Sequence, residues 1–205
     1  MSARIPSYDT RFDIVGWYLV RSVVRLKRTL GRRTPSLIDL GMGRGRDLIY
    51  FSRHGFRVLG LDISPTGLEK AKRRAARLET LIRTRLGDIR TYQLNSNFDV
   101  VYSSCTLNHL PPKLRARRFA HFKAATARGG IHAVNAFFPK PSLPPAPDQD
   151  PQETLYRQGE LRGYYGDWQI LDSREFEFDC NFGGTPHRHA LDVLIARKPG
   201  GAGSE

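Results

Sequence analysis

The chain has 205 residues, 40% of them hydrophobic, which suits one α/β domain around one core and leaves little room for extended disorder. Its 33 Lys+Arg against 20 Asp+Glu give a net charge of +13, a surface that draws anions but says nothing about chemistry. Two distant cysteines, Cys105 and Cys180, exclude a disulfide scaffold or a CxxC zinc site, and neither Met1 to Asp13 nor the short apolar run from Ile14 to Val20 makes a leader or a membrane span, so a cytoplasmic location is expected.

Residues 1–34 read as a basic helical cap. Leu19, Val23, Leu26 and Leu30 recur at helical spacing, with Arg21, Arg25, Arg28 and Arg32 on roughly the opposite face. That pattern fits a packed amphipathic helix with a solvated arginine face, and also a face for RNA or a membrane surface. Ser36 to Leu40 then predicts a short apolar strand. Arg46 to His54 predicts a helix closed by Gly55, and Phe56 to Leu61 a second strand ending at Asp62. Ser64 and Pro65 suit the N-cap and first position of a helix that buries Leu68, Ala71, Ala75, Leu78 and Ile82. A third strand is expected just before Gly87-Asp88 and a fourth at Phe98 to Tyr102. A helix opens at Pro111-Pro112 and ends at Gly129-Gly130, and a fifth strand covers Ile131 to Phe137. Residues 139–151 are proline-rich, long enough for a lid or pocket wall. A short helix at Glu160 to Tyr165 and two last strands, near Gln169–Phe178 and Arg188–Ala196, complete the pattern, with a turn at Asn181 to Pro186 and a tail at 199–205. Alternating strands and helices imply a Rossmann-like, doubly wound parallel sheet, with the last strand of the terminal hairpin antiparallel.

The strongest local signal is Leu37-Ile38-Asp39-Leu40-Gly41-Met42-Gly43-Arg44-Gly45-Arg46, a buried strand running through alternating glycines into a helix. Such a loop lets backbone turn tightly while a ligand comes close, and it lies at the carboxyl end of a strand, where open α/β sheets bind ligands. The dinucleotide pattern G-x-G-x-x-G fails here, because Arg46 stands at its third glycine, and the G-K-[ST] phosphate loop is absent. The carboxylates narrow the choice. Asp62 is placed to accept from two ribose hydroxyls, with Ile63 beside it, and Asp88-Ile89 follows the third strand, where it can face adenine. Asp39, just before the glycines, favours a cation and opposes pyrophosphate. Ribose, adenine, positive charge and no phosphate describe S-adenosyl-L-methionine (SAM), with S-adenosyl-L-homocysteine (SAH) as product. The expected contacts are Asp39, Gly41, Met42, Gly43, Gly45, Asp62, Ile63, Asp88, Ile89, Ser103 and Ser104.

Residues 36–135 resemble the class I SAM-dependent methyltransferases. Leu37–Arg46 is similar to their first motif, Gly60-Leu61-Asp62-Ile63-Ser64 to their second, and Phe98–Leu110 to the stretch around their fourth strand. Within that superfamily the likeness is greatest to the tellurite-resistance (TehB-like) methyltransferases. It is carried by Gly41 to Arg46 with Leu48, Tyr50, Ser52 and Gly55, by Gln158 to Trp168 (QGELRGYYGDW), and by Ala196-Arg197-Lys198. The resemblance implies a seven-stranded sheet with an antiparallel last strand, a SAM-binding domain over 35–198, and a soft small acceptor such as a tellurium or selenium oxyanion. Met42 departs from the family's usual cysteine, and Phe178-Asp179 stands where the family's His-Arg pair falls, with His187-Arg188 further on.

For the chemistry, methyl transfer from a sulfonium is an in-line displacement with a neutral leaving group, so positioning and desolvation carry much of the rate. A soft anion or thiolate needs no general base, whereas an oxygen or nitrogen acceptor often does. Arg188 is a candidate to hold an oxyanion, with His187 and His189 on the other face of the same strand. His109, beside Asn108, is a candidate base at the transfer site; Cys105 reads as a small buried residue. Tyr8 and Arg11 are placed to fold over the cofactor. His187-x-His189 lacks a third ligand in the sequence pattern, so no metal is expected. The expected partner is a small, anionic acceptor. Nucleic acid is the alternative from the basic stretches 21–33, 70–77 and 113–128, although Ser103-Ser104-Cys105-Thr106 is not the [D/N/S]-P-P-[Y/F/W] signature of base amino methylation. A SAM-binding protein without turnover is a third reading. The sequence leaves oligomeric state open.

Overall fold

The computed structural model describes residues 14–148, 150–180 and 184–200. The expected lid residues Tyr8 and Arg11, Gly183 of the terminal turn and 201–205 of the tail lie outside them.

Helix α1 (Ile14–Leu26) tightens into a 3-10 turn (Lys27–Leu30) that ends at Gly31, held at φ 65°. Leu19, Val20 and Val23 are fully buried, Leu26 and Leu30 are half-buried in the tightened turn, and Arg21, Arg25, Arg28 and Arg32 are exposed as their spacing requires. There follow β1 (Ser36–Leu40), α2 (Arg46–Arg53), β2 (Arg57–Asp62), α3 (Pro65–Arg77), β3 (Arg83–Leu86) and β4 (Phe98–Ser103). A second 3-10 turn (Leu107–His109) leads to α4 (Pro112–Ala124), β5 (Thr126–Phe137), α5 (Glu160–Gly163), β6 (Gln169–Cys180) and β7 (His187–Arg197). All residues of β1 and β4 are buried, as central strands covered on both faces must be.

The seven strands lie in the order β3-β2-β1-β4-β5-β7-β6, and β7 runs antiparallel to both β5 and β6. This is the doubly wound sheet that the sequence predicts. Helices α1, α2 and α3 cover one face through Leu19, Leu48 and Leu68, packed with Leu37, Val58 and Val100. Helices α4 and α5 cover the other through Phe119, Phe122 and Leu161, packed with Ile38, Val101 and Val134. The strand order reverses between β1 and β4, so a crevice opens above their carboxyl ends.

Several boundaries move. Ser64 caps α3 as expected, its Oγ accepting from the Gly67 N–H at 3.0 Å, but the helix stops at Arg77, so Leu78 and Ile82 are half-buried beyond its end. Helix α4 stops at Ala124 rather than at Gly129-Gly130. The Lys198 ammonium takes the carbonyls of Lys123 and Thr126 at 2.8 and 2.7 Å, and the glycines fall inside β5, where pairing with β4 is irregular between Phe98 and Val100.

Candidate functional site

The turn between β1 and α2 is built from residues that only glycine can supply. Gly41, Gly43 and Gly45 hold φ of 85°, 54° and 74°. A Cβ on Gly41 would stand 2.1 Å from Thr106 Oγ1 and one on Gly45 2.7 Å from the Ala71 Cβ, whereas one on Gly43 would meet nothing within 4 Å. Two glycines therefore serve close packing, and Gly43 faces open space. Asp62, at the end of β2, ties the turn down: its Oδ2 accepts from the Gly43 N–H at 2.7 Å and its Oδ1 from the Ser64 N–H at 2.8 Å. Each oxygen retains a second lone pair.

A cavity of about 420 Å³ lies over this turn, lined by Gly41, Gly43, Asp62, Ile63, Asp88, Ile89 and Arg90 and closed by Thr106, His109, Asp150 and Gln152. Ile63 is 62% exposed at its rim, an apolar side chain left without protein cover. Asp88 accepts from Arg90 Nε at 2.7 Å and from the Arg90 N–H at 2.8 Å, and this pairing pulls its carboxyl below the usual range. Five of the eleven expected contacts do not line the cavity. Met42 is buried against Gly60, and Gly45 opens α2. The Ser103 hydroxyl is spent on the Leu40 carbonyl at 2.9 Å, and Ser104 Oγ accepts from Asn135 Nδ2 at 3.3 Å. Asp39 is buried behind the turn, where desolvation and then the neighbouring Asp47 and Asp62 carboxylates push its pKa well above normal against the pull of Arg46. Asp47 accepts from the Tyr102 hydroxyl at 2.7 Å and from Arg46 Nε at 2.8 Å. Three carboxylates thus crowd the turn, one of them paired with Arg46.

A second cavity of about 690 Å³ adjoins the first, and His109 and Asp150 line both. Its walls are Phe137, Phe178, Leu143, Pro144 and Leu155, with Arg46, Cys105, Glu153 and Asp148 interspersed, so the proline-rich segment forms one side. His109 closes the second 3-10 turn with its Nε2 3.7 Å from Glu153 Oε1. Asn108 is buried instead, bonding both backbone groups of Phe137. Cys105 is half-buried on the cavity wall with φ 53° rather than in the core, because its N–H is drawn to Asn135 Oδ1 at 2.6 Å. Arg188 reaches the same wall, with its half-exposed guanidinium shared between Glu177 (3.1 Å) and Asp179 (3.3 Å). His187 and His189 share one face of β7 and meet Asp148. Burial lowers the pKa of His189, partly offset by Asp148.

Comparison with known proteins follows the same outline. Residues 37–130 match the family described as "Methyltransferase domain". The chain is 26% identical over 139 residues to a Haemophilus influenzae protein described as "Probable S-adenosyl-L-methionine-dependent methyltransferase TehB", covering 68% of this chain and 48% of that one. The crystal structure of H. influenzae TehB superposes with a TM-score of 0.76 at 22% identity, over 87% of this chain and 61% of that one. Residues 37–130 thus match a methyltransferase domain, and the chain is similar to TehB in sequence and in fold. Magnesium protoporphyrin IX methyltransferase from Synechocystis, solved with bound SAH, shares the fold with a TM-score of 0.66 at 19% identity, over 90% of this chain and 84% of that one. Hemagglutinin 1 of Eikenella corrodens is 26% identical over 166 residues, 80% of this chain and 54% of that one. The chain spans about half the length of the curated relatives it matches.

Beyond the matched residues 37–130, the Gln158–Trp168 segment has a structural task. Glu160 receives both 3.0 Å bonds of Arg115 Nη1, whose guanidinium is buried, lies 3.6 Å from the Tyr156 ring centroid, and also takes the Thr154 carbonyl at 2.6 Å. Tyr165 donates to His132 Nδ1 at 2.7 Å in the core below. The motif therefore clamps the segment after the proline-rich stretch onto α4.

Proposed function

We propose that the chain transfers a methyl group from SAM to a small acceptor bearing a soft nucleophile, a thiol or a tellurium or selenium oxyanion. One observation carries the reading: two adjoining cavities meet at His109, one floored by the glycine turn and Asp62, the other walled by apolar side chains. The first suits an adenosyl group. Asp62 has lone pairs to spare for ribose hydroxyls, Ile63 and Ile89 offer apolar faces for adenine, and Asp88 stands near its edge. The carboxylates gathered at the turn, Asp62 foremost, suit a sulfonium and an ammonium better than a pyrophosphate. When bound, the donor supplies a methyl sulfonium whose departing thioether is neutral.

The second cavity would hold the acceptor. Its apolar walls strip water from a soft nucleophile, which raises its reactivity and keeps solvent from the transfer. His109, at the junction, is positioned to take a thiol proton, with Glu153 steadying the imidazolium that results. Methyl transfer then leaves a methylated acceptor and SAH. Nucleic acid as acceptor is less well supported, since Arg115 and Arg118 of the basic stretch 113–128 point inward.

The test is isothermal calorimetry with SAH, followed by tritiated-methyl transfer from SAM to tellurite, selenite, small thiols and tRNA. SAH is expected to bind, and Asp62→Ala to weaken it at least about tenfold, the loss of two charge-assisted bonds. Transfer is expected to a thiol or chalcogen oxyanion. Absence of SAH binding, or transfer to tRNA alone, overturns the reading.

A further inference from the structure

Asp148, Cys180, His187 and His189 come from three separate stretches of chain, yet their ligating atoms all lie within 4.8 Å of one another. Asp148 belongs to the proline-rich segment, Cys180 ends β6, and the two histidines open β7. His187 Nε2 lies 2.9 Å from Asp148 Oδ1 and 2.9 Å from His189 Nε2, and His189 Nε2 lies 3.2 Å from the same Asp148 oxygen. Cys180 Sγ lies 3.8 Å from Asp148 Oδ2. A tetrahedron of zinc bonds about 2.0–2.3 Å long has edges of roughly 3.3–3.6 Å, so the four groups stand close to the right separations already.

The protons make the same point. His187 Nδ1 lies 2.7 Å from the Thr185 carbonyl, which can only accept, so this nitrogen carries the hydrogen. In the neutral imidazole Nε2 then presents a lone pair to the cluster. Asp148 Oδ1 presents another. This oxygen is inaccessible to water and has no well-aligned hydrogen bond, despite two imidazoles near it. His187 Nε2 and Asp148 Oδ1 thus turn lone pairs toward one point, and a cation there would satisfy both together. The Thr185 contact is also the outer hydrogen bond that metal-bound histidines normally make through their second nitrogen.

We infer that Asp148, Cys180, His187 and His189 bind one zinc-type divalent ion. Two imidazoles, a thiolate and a carboxylate match the preference of zinc for nitrogen and sulfur, and four protein ligands leave no open position, the mark of a structural site. Binding expels the thiol proton of Cys180, and the ion fastens the proline-rich segment to the β6–β7 hairpin. Asp148 and His189 line the wall of the larger cavity, so the ion fixes the shape of that wall. The site stands whether or not the cavity takes a methyl acceptor.

The test uses the untagged chain, stripped with chelator and titrated with Zn²⁺ against a chromophoric competitor, then with Co²⁺. One ion per chain is expected. The Co²⁺ form is expected to show tetrahedral visible bands and a thiolate-to-cobalt band in the near ultraviolet. Cys180→Ser should abolish the thiolate band, and His187→Gln should weaken Zn²⁺ at least about a hundredfold, more than an outer-shell loss. Far-ultraviolet circular dichroism checks that both variants remain folded. No stoichiometric Zn²⁺ binding, or Zn²⁺ binding unchanged in both folded variants, overturns the inference. None of these readouts involves SAM.

Discussion

At the scale of single residues, the glycine turn separates two duties that its sequence runs together. Gly41→Ala places a methyl group 2.1 Å from Thr106 Oγ1 at φ 85°, so it should cost about 2–4 kcal/mol of stability, read as a lower urea midpoint. Gly43→Ala meets no neighbour within 4 Å, so only backbone strain of about 1–2 kcal/mol is expected, together with a loss of SAH affinity, because the new methyl enters the cavity. If Gly43→Ala binds SAH as the parent chain does, the cavity over the turn is not the cofactor site. His132 makes a different kind of prediction. It is buried between Thr126 Oγ1 and the Tyr165 hydroxyl, both at 2.7 Å, and desolvation first, then Lys123, brings its pKa down from 6.5 to about 3. The unfolded chain therefore takes up a proton near pH 6.5 that the folded chain refuses until about pH 3. Stability from this group is complete above pH 6.5 and falls at up to about 1.4 kcal/mol per pH unit in the window below. Denaturant melts from pH 7.5 to 4 should show that slope in the parent chain and a shallower one in His132→Gln.

At the scale of elements, the clamp between α4 and the Gln158–Trp168 segment carries the clearest stability prediction. Arg115→Met removes a buried guanidinium and leaves Glu160 and three carbonyls without it, so a loss of about 3–5 kcal/mol is expected by chemical denaturation, with Glu160→Gln milder because its amide still accepts. A loss below about 1 kcal/mol for Arg115→Met would show that the clamp holds nothing. The same helix marks where sequence reading stops. The strand-turn-helix around Gly41 to Gly45, the Ser64 cap and the terminal hairpin are legible because each is encoded within a few consecutive residues. Arg115 and Arg118 read as surface charge because helical spacing cannot tell an exposed arginine from a buried one, such as Arg115, whose donors find carbonyls and a carboxylate in a core not yet assembled. Asp148 and Cys180 beside the two histidines are invisible for the same reason: 41 residues separate Asp148 from His189, and only the seating of the proline-rich segment on the hairpin unites them. Five of the residues read from the motif lie outside the cavity over the turn, because proximity in sequence to a turn does not by itself place a side chain in the space above it; the Ser103 hydroxyl bonds the Leu40 carbonyl within a buried strand.

At the scale of the whole molecule, the net charge of +13 and the three crowded carboxylates under the turn pull in opposite directions. The surface attracts phosphates broadly, yet carboxylates gather at the crevice between β1 and β4, so a general affinity for anions and the proposed affinity for an adenosyl cation belong to different places. Thermal melting separates them. A ligand that binds only the folded chain at a hundred times its Kd adds about 2.7 kcal/mol, which for a chain of this size raises Tm by roughly 5–10 °C. SAM at saturation should do this, and its shift should survive 0.5 M salt, because its contacts would lie within the cavity rather than on the open surface. Nicotinamide dinucleotides and free pyrophosphate should give smaller shifts that disappear with salt, since they meet only the basic exterior. A dinucleotide shift that equals that of SAM and persists in salt would mean that the crevice tolerates phosphate, and that the carboxylates around Asp39 do not set its ligand.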